Sequence, residues 1–209
     1  MSNVNIILAA GAQTRWNHDP VPGLPTIKQL IEVKGEILIE RIQRQFPDST
    51  VVTKTKAISD HSKMIYSPNL NDVTVITLVS TYDLWKEWTT VLLGDVDYGD
   101  STISLINDQT EKLMFYGNQK EIFAVKFHES MGMAILMTIN RLVNDIRWTR
   151  QFGKLWNLYR MLIGHDFRLE KIDKYFTFVS DCRDFDTQKS YKRYAEKQKI
   201  RRQDTSLLP

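Results

Sequence analysis

Apolar and polar positions come in short blocks along this chain, and the period changes from block to block. Val4 to Ala9 is an unbroken apolar run, as expected of a strand buried on both faces of a parallel sheet. Gly11 ends it. Residues 11 to 29 hold Gly11, Pro20, Pro22, Gly23 and Pro25 without periodicity, a long loop of the kind that usually serves function. Leu38, Ile42 and Phe46 recur every fourth position and Glu40 precedes Arg44 by four, so residues 36 to 46 read as an amphipathic helix stopped at Pro47. Strands are expected at 49–53, 73–78 and 90–93, with a short helix over 81–88. Leu113 to Tyr116 and Ile122 to Phe127 read as a strand pair that turns near Gly117 and Asn118. Helices at 131–146 and 149–163, a strand at 176–179 and a charged helix at 187–202 complete the pattern. Strand-type and helix-type blocks alternate, which predicts an α/β layered fold. No repeat or flexible linker divides the chain, so residues 1–209 read as one domain with a basic C-terminal helix and tail over 187–209.

Composition narrows the class. The 209 residues are 42% hydrophobic and 25% charged, a globular balance rather than a disordered one. The longest apolar runs, Ile6 to Ala10 and Met133 to Met137, fall far short of a membrane span. The first basic residue is Arg15, behind the first apolar stretch, so no secretory leader is expected and the protein is placed in the cytoplasm. Cys182 is the single cysteine, which excludes an internal disulfide and a thiolate zinc cage. The net charge of +3 is uneven. Lys189, Lys192, Arg193, Lys197, Lys199, Arg201 and Arg202 crowd the tail, and the body is slightly acidic. A solvated terminal helix accounts for that pattern, so nucleic acid is not an expected partner; a homodimer is left open.

Several standard sites are missing. There is no G-x-x-x-x-G-K-[ST] phosphate loop and no G-x-G-x-x-G turn. His18, His61, His128 and His165 show no metal-ligand spacing, and no Ser or Cys sits in a nucleophile elbow. Three segments remain. Leu8 to Arg15 follows the first strand directly. Its Ala-Ala-Gly lets backbone amides approach an anion, and Thr14, Arg15 and then Lys28 supply a hydroxyl and two cations suited to phosphates. Thr90 to Asp97 is an apolar strand that ends in Gly94-Asp95, placing a carboxylate at a carboxyl-terminal strand edge, where hard oxygen ligands suit Mg²⁺. Asp97 is either a second ligand or part of the turn. Phe178 to Thr187 is another strand running into carboxylates, and Asp186 or Thr187 can also cap the last helix.

Leu8-Ala9-Ala10-Gly11 with Thr14-Arg15, then Lys28, then Glu32-Val33-Lys34-Gly35-Glu36-Ile37-Leu38, resembles the opening of the sugar-phosphate nucleotidylyltransferases. Molybdenum-cofactor guanylyltransferases and methylerythritol-phosphate cytidylyltransferases are cousins in the same GT-A-type fold. Leu93-Gly94-Asp95 is similar to that family's metal strand, and Asp186-Thr187 with Tyr191 is similar to its closing motif. The chain departs from the pattern at Gln13, where the family has a glycine, and at Ile27-Lys28 and Gly35-Glu36-Ile37.

The resemblance implies a three-layer α/β/α sandwich around a mixed, mostly parallel sheet. It implies transfer of a nucleoside monophosphate from an NTP to a phosphorylated sugar or alcohol, with release of pyrophosphate. Leu8, Ala9, Ala10, Gly11, Ala12, Gln13 and Thr14 would hold the nucleotide, and Ser80, Thr81 and Asp83 would read its base. Arg15 and Lys28 would be catalytic, and Asp95 and Asp186 would hold Mg²⁺ (or Mn²⁺), with Asp97 a further candidate. A phosphate acceptor is already an anion, so this chemistry needs no general base; a hydroxyl acceptor would leave only Asp97 or Asp184. Tyr82, Trp85 and Trp88 read as a core stripe, while Trp16 is a candidate to pack over base or ribose. Two alternatives stay open: a GT-A glycosyltransferase with Asp95-Val96-Asp97 as its D-x-D, and an inactive nucleotide-binding relative that regulates a partner.

Overall fold

A computed structural model describes residues 2–11, 15–67, 73–144, 154–165 and 172–205. The chain opens with β1 (Asn3–Leu8), a short antiparallel ribbon of β2 (Glu32–Val33) and β3 (Glu36–Ile37), and helix α1 (Leu38–Gln45). Then come β4 (Thr50–Val52), the single turn α2 (Lys56–Ser59), β5 (Ile65–Tyr66) and α3 (Thr74–Val79). The middle of the chain supplies β6 (Trp88–Leu93), β7 (Val96–Asp97), α4 (Asp100–Asn107), β8 (Leu113–Gly117) and β9 (Ile122–His128). Last are α5 (Gly132–Val143), α6 (Leu155–Leu162), β10 (Phe176–Phe178), β11 (Arg183–Asp184) and α7 (Gln188–Thr205).

Among the described residues seven strands form one sheet in the order β10-β8-β9-β6-β1-β4-β5. Only β9 runs against its neighbours; the other pairings are parallel. Alternate side chains enter two cores. Ile7, Val51 and Leu92 meet α1, α4 and α7 through Ile39, Ile42, Ile106 and Tyr191. Ile6, Val52 and Val91 meet α3, α5 and α6 through Leu78, Ile135 and Leu158 on the other face. The expected three-layer α/β/α sandwich with a mixed, mostly parallel sheet is therefore the observed architecture. The period of two in strands and of 3.6 in helices sorts the apolar residues onto its two faces.

Three expectations need correction. Val73 to Leu78, read as a strand from its β-branched residues, is helix α3. Strands β5 and β6 are parallel and lie on opposite sides of β1, so the chain must cross over between them, and a helix makes that crossing. The Thr77 hydroxyl fits the helix by donating to the Val73 carbonyl at 3.1 Å. The helix expected over 81–88 shrinks to a 3₁₀ turn at Tyr82–Leu84, because Trp88 already belongs to β6. Arg44 bonds Glu36 rather than Glu40, at 2.7 and 2.8 Å. Helix α4 had no strong periodic signal and went unread. The expected helices 131–146 and 149–163 correspond to α5 and α6, with their positions 145–153 outside the described residues.

Candidate functional site

The strand order changes direction between β1 and β6: the chain goes from β1 outward to β4 and β5, then returns to the other side of β1. Ligands of open α/β sheets bind outside the carboxyl ends of strands at such a switch point. Here those ends are Leu8 and Leu93. Leu8, Ala9 and Ala10 are buried; the Ala9 amide donates to the Val52 carbonyl at 2.9 Å, and the Gly94 amide to the Leu8 carbonyl at 3.0 Å. A Cβ at Gly94 would lie 3.0 Å from the Ala9 Cβ and 3.1 Å from the Leu8 oxygen. The small residues thus let the two strand ends close on each other, and Gly11 emerges to the surface. Ala12, Gln13 and Thr14 lie outside the described residues.

Two cations meet two carboxylates at this edge. The Lys28 ammonium pairs with Asp95 Oδ2, with side chains only 13% and 20% exposed. Arg15 Nη1 lies 2.8 Å from Asp186 Oδ1 in a more open pair. The segments carrying Asp95 and Asp186 are brought together by the β7–β11 ladder, in which Arg183 pairs with Asp97 and Asp184 with Val96. Burial works against the Lys28 charge, yet the fields of Asp95, Asp184 and Asp186 outweigh it and raise its pKa. Burial pushes Asp184 up to about 8, Asp95 pushes the same way, and Lys28 pulls against both. Glu121 is also raised by burial, against the opposing charge of Lys154. One ammonium therefore sits in the field of three carboxylates.

The loop from Arg15 to Pro25 is clamped from below by the start of α7. Gln188 Oε1 accepts from the Val21 amide at 2.6 Å, Lys189 bonds Asp19 at 2.9 Å, and Tyr191 packs 6.2 Å from Trp16, centroid to centroid. Beside this clamp a cleft of about 380 Å³ is lined by Arg15, His18, Asp19, Asp186 and Thr187. Thr187 caps α7: its Oγ1 accepts from the Ser190 amide at 3.1 Å while Ser190 Oγ accepts from the Thr187 amide at 3.3 Å. Asp186 is left to face Arg15.

Other candidates are placed differently. Asp97 is buried, with Oδ1 2.9 Å from Arg41 Nε and Oδ2 3.1 Å from Lys34 Nζ, so its carboxylate is spent on a structural network and Asp95-Val96-Asp97 does not present two carboxylates to one ion. Ser80 and Thr81 precede β6 and sit at its amino end, separated from Asp95 by the strand's length, about 17 Å at roughly 3.3 Å per residue. Thr81 is wholly buried, donating to Leu78 and accepting from Trp85 Nε1, and Ser80 donates to the Thr77 carbonyl. Asp83 lies at the same end, within the 3₁₀ turn. Neither hydroxyl faces the switch point. Trp16 is core: 1% exposed, its Nε1 donates to the Pro25 carbonyl at 2.8 Å.

Two features of the site go beyond the roles read from the sequence, in which Asp184 stood only as a candidate base for a hydroxyl acceptor. Asp184 belongs to the carboxylate group, and the signal was its spacing of two from Asp186, which puts both on one side of an extended chain. The other is Asp181, whose carboxylate accepts from the amides and hydroxyls of Ser101 and Thr102. It caps α4 from a distant segment and anchors the stretch that carries Asp184 and Asp186. Gly99 allows this, since a Cβ there would collide with the Asp181 side chain. Nothing in the local sequence announces a cap 80 positions away.

The donor set suits a hard divalent cation. All the candidate ligands are carboxylate oxygens, and Asp184 Oδ1 is buried with no hydrogen-bond donor, an oxygen that a cation would satisfy. Among the described residues no three side chains are gathered closely enough to hold a metal by themselves. Mg²⁺ typically takes one or two carboxylates and completes its shell with waters and substrate phosphates, which is the arrangement Asp95 and Asp186 can offer.

No protein-family model matches the sequence, and no curated protein sequence matches it. Solved structures do. The chain is similar to a CTP:phosphocholine cytidylyltransferase from Streptococcus pneumoniae, with a TM-score of 0.64 and 15% identity over 94% of this chain and 99% of that one. It is also similar to a protein from Bacillus anthracis assigned as a glucose-1-phosphate thymidylyltransferase, with a TM-score of 0.60 and 13% identity over 92% and 93% of the two chains. The chain has the nucleotidyltransferase fold, as its motifs led us to expect. No helix among the described residues is long and apolar enough to cross a membrane.

Proposed function

We propose that this protein transfers a nucleoside monophosphate from an NTP to a phosphorylated small molecule, a sugar phosphate or an alcohol phosphate, and releases pyrophosphate. The observation that carries the reading is the convergence of Arg15 and Lys28 on Asp186 and Asp95 at the switch point of this fold. Residues 8–15 hold the nucleotide. The acceptor phosphate oxygen attacks the α-phosphorus, a new P–O bond forms, and the bond to the pyrophosphate leaving group breaks. Arg15 and Lys28 neutralise negative charge on the phosphates as it shifts toward the leaving group. Asp95 and Asp186 are the residues that would hold Mg²⁺ or Mn²⁺. When bound, that ion would supply Lewis-acid stabilisation of the charge on the phosphates. No side chain has to remove a proton, because the acceptor phosphate is already an anion.

The solved nucleotidyltransferases of this fold support the reaction class, since their names specify a choline phosphate and a glucose phosphate as acceptors. The test is a pyrophosphate-release screen of the four NTPs against sugar and alcohol phosphates with Mg²⁺. Arg15→Ala, Lys28→Ala and Asp95→Asn should each abolish turnover in a folded protein. Activity that survives all three places the chemistry elsewhere.

A further inference from the structure

The Lys28–Asp95 pair raises a conflict that the proposed reaction has to resolve. Asp95 is the carboxylate best placed to hold a divalent ion, yet its Oδ2 is already occupied by the Lys28 ammonium in a pair largely withdrawn from water. The same ammonium lies in the fields of Asp184 and Asp186, and Asp184 keeps a buried oxygen without a donor. A divalent ion at Asp95 would sit against a like charge at close range, in surroundings that screen poorly. Both cations cannot share that oxygen.

We propose that Lys28 is the resident counter-ion of this carboxylate pocket, and that it must leave Asp95 before a divalent metal can bind there. The inference rests on the reading of the site given above and concerns its regulation. A lysine is suited to the exchange because its point charge rides on a flexible four-carbon stem and bonds equally well to a carboxylate or a phosphate. The residue stands at the start of a 3₁₀ turn, Lys28–Leu30, whose preceding position is extended, so its stem reaches inward from a loop rather than from a packed helix face. Incoming nucleotide phosphates offer the ammonium a second anionic partner. Once it swings to them, Asp95 is free for the metal that those phosphates also ligate. Metal and nucleotide then bind cooperatively, each favouring the Lys28 position that the other needs. Without nucleotide, the ammonium keeps stray divalent ions out and offsets the repulsion between Asp95 and Asp186.

The experiment uses the full chain without nucleotide and Mn²⁺ alone as the probe, with free Mn²⁺ read by electron paramagnetic resonance. Lys28→Met should bind Mn²⁺ at least about tenfold more tightly than the wild type, the scale expected when a neighbouring like charge is removed. Lys28→Arg, which keeps the charge, should stay as weak as the wild type. Mn²⁺ should also raise the melting temperature of Lys28→Met more than that of the wild type. Should Lys28→Met fail to fold, Lys28→Gln takes its place and is read in the same way. Equal Mn²⁺ affinity in the wild type and the uncharged variant overturns the proposal, as does tight binding by Lys28→Arg. The two readings fail separately. Tightened Mn²⁺ binding with no pyrophosphate release from any NTP would keep the exchange and reject the reaction. Turnover with unchanged Mn²⁺ affinity would do the reverse.

Discussion

The network around Asp97 gives the sharpest quantitative test, because it decides between a structural and a metal-binding role for one carboxylate. Its side chain is 6% exposed and Arg41 is 10% exposed, with Oδ1 2.9 Å from Nε; Lys34 takes the other oxygen, and Arg41 also reaches Glu36 at 3.2 Å. Asp97→Ala strands the Arg41 guanidinium beside the core. Removing one partner of such a buried pair costs about 3–5 kcal/mol. For a chain of this size each kcal/mol lowers Tm by about 2–4 °C, so a drop of about 6–20 °C is expected. Circular dichroism melts and urea unfolding measure it. The double variant Asp97→Ala/Arg41→Met should recover part of the loss, since no buried charge is then left unpaired: Lys34 is half-exposed to water and Glu36 keeps Arg44. Mn²⁺ affinity of the folded Asp97→Ala protein should match the wild type. An Asp97→Ala protein with unchanged Tm but no Mn²⁺ binding would refute the structural assignment and restore Asp95-Val96-Asp97 as a metal motif.

Further predictions concern the anchors of the site. A buried carboxyl pushed up to about 8 keeps a proton in the folded chain that the unfolded chain has already released, so stability of the metal-free protein should fall as pH rises from about 4 toward 8. Asp184→Asn should flatten that fall in urea titrations across the range, and an unchanged slope would reject the assignment. Asp181→Ala removes a cap from α4 and should lower stability by about 1–2 kcal/mol; it should also weaken Mn²⁺ binding through the loosened Asp184–Asp186 segment, whereas Asp181→Asn should retain more of both. Lys126 is buried and donates to the Ile106 and Asn107 carbonyls at 2.8 and 3.0 Å. Lys126→Met should cost about 1–3 kcal/mol in a urea titration, and a stability equal to wild type would mean those bonds contribute nothing net.

Local chemistry was legible wherever a residue's neighbours in sequence are also its neighbours in space. The unbroken run of β1, the four-residue spacing of α1 and the Gly94-Asp95 strand end all announce themselves within a single element, because burial on a strand or helix face imposes its own period. From these and the order of Arg15, Lys28, Asp95 and Asp186 along the chain, the layered architecture could be read, together with four candidate residues that the fold brings to one sheet edge. Tertiary structure decided everything that depends on which elements meet. The strand-like Val73 to Leu78 became a helix because a parallel crossover had to be made. Trp16 went into the core because α7 closes over the loop, and Thr81 was consumed by Trp85 at the wrong end of β6. Asp97 found Arg41 and Lys34, Asp184 joined the carboxylates through the β7–β11 ladder, and Asp181 reached a helix end far away in the chain. Such pairings follow from long-range packing, which fixes charge against charge and leaves no periodic trace in the residues on either side.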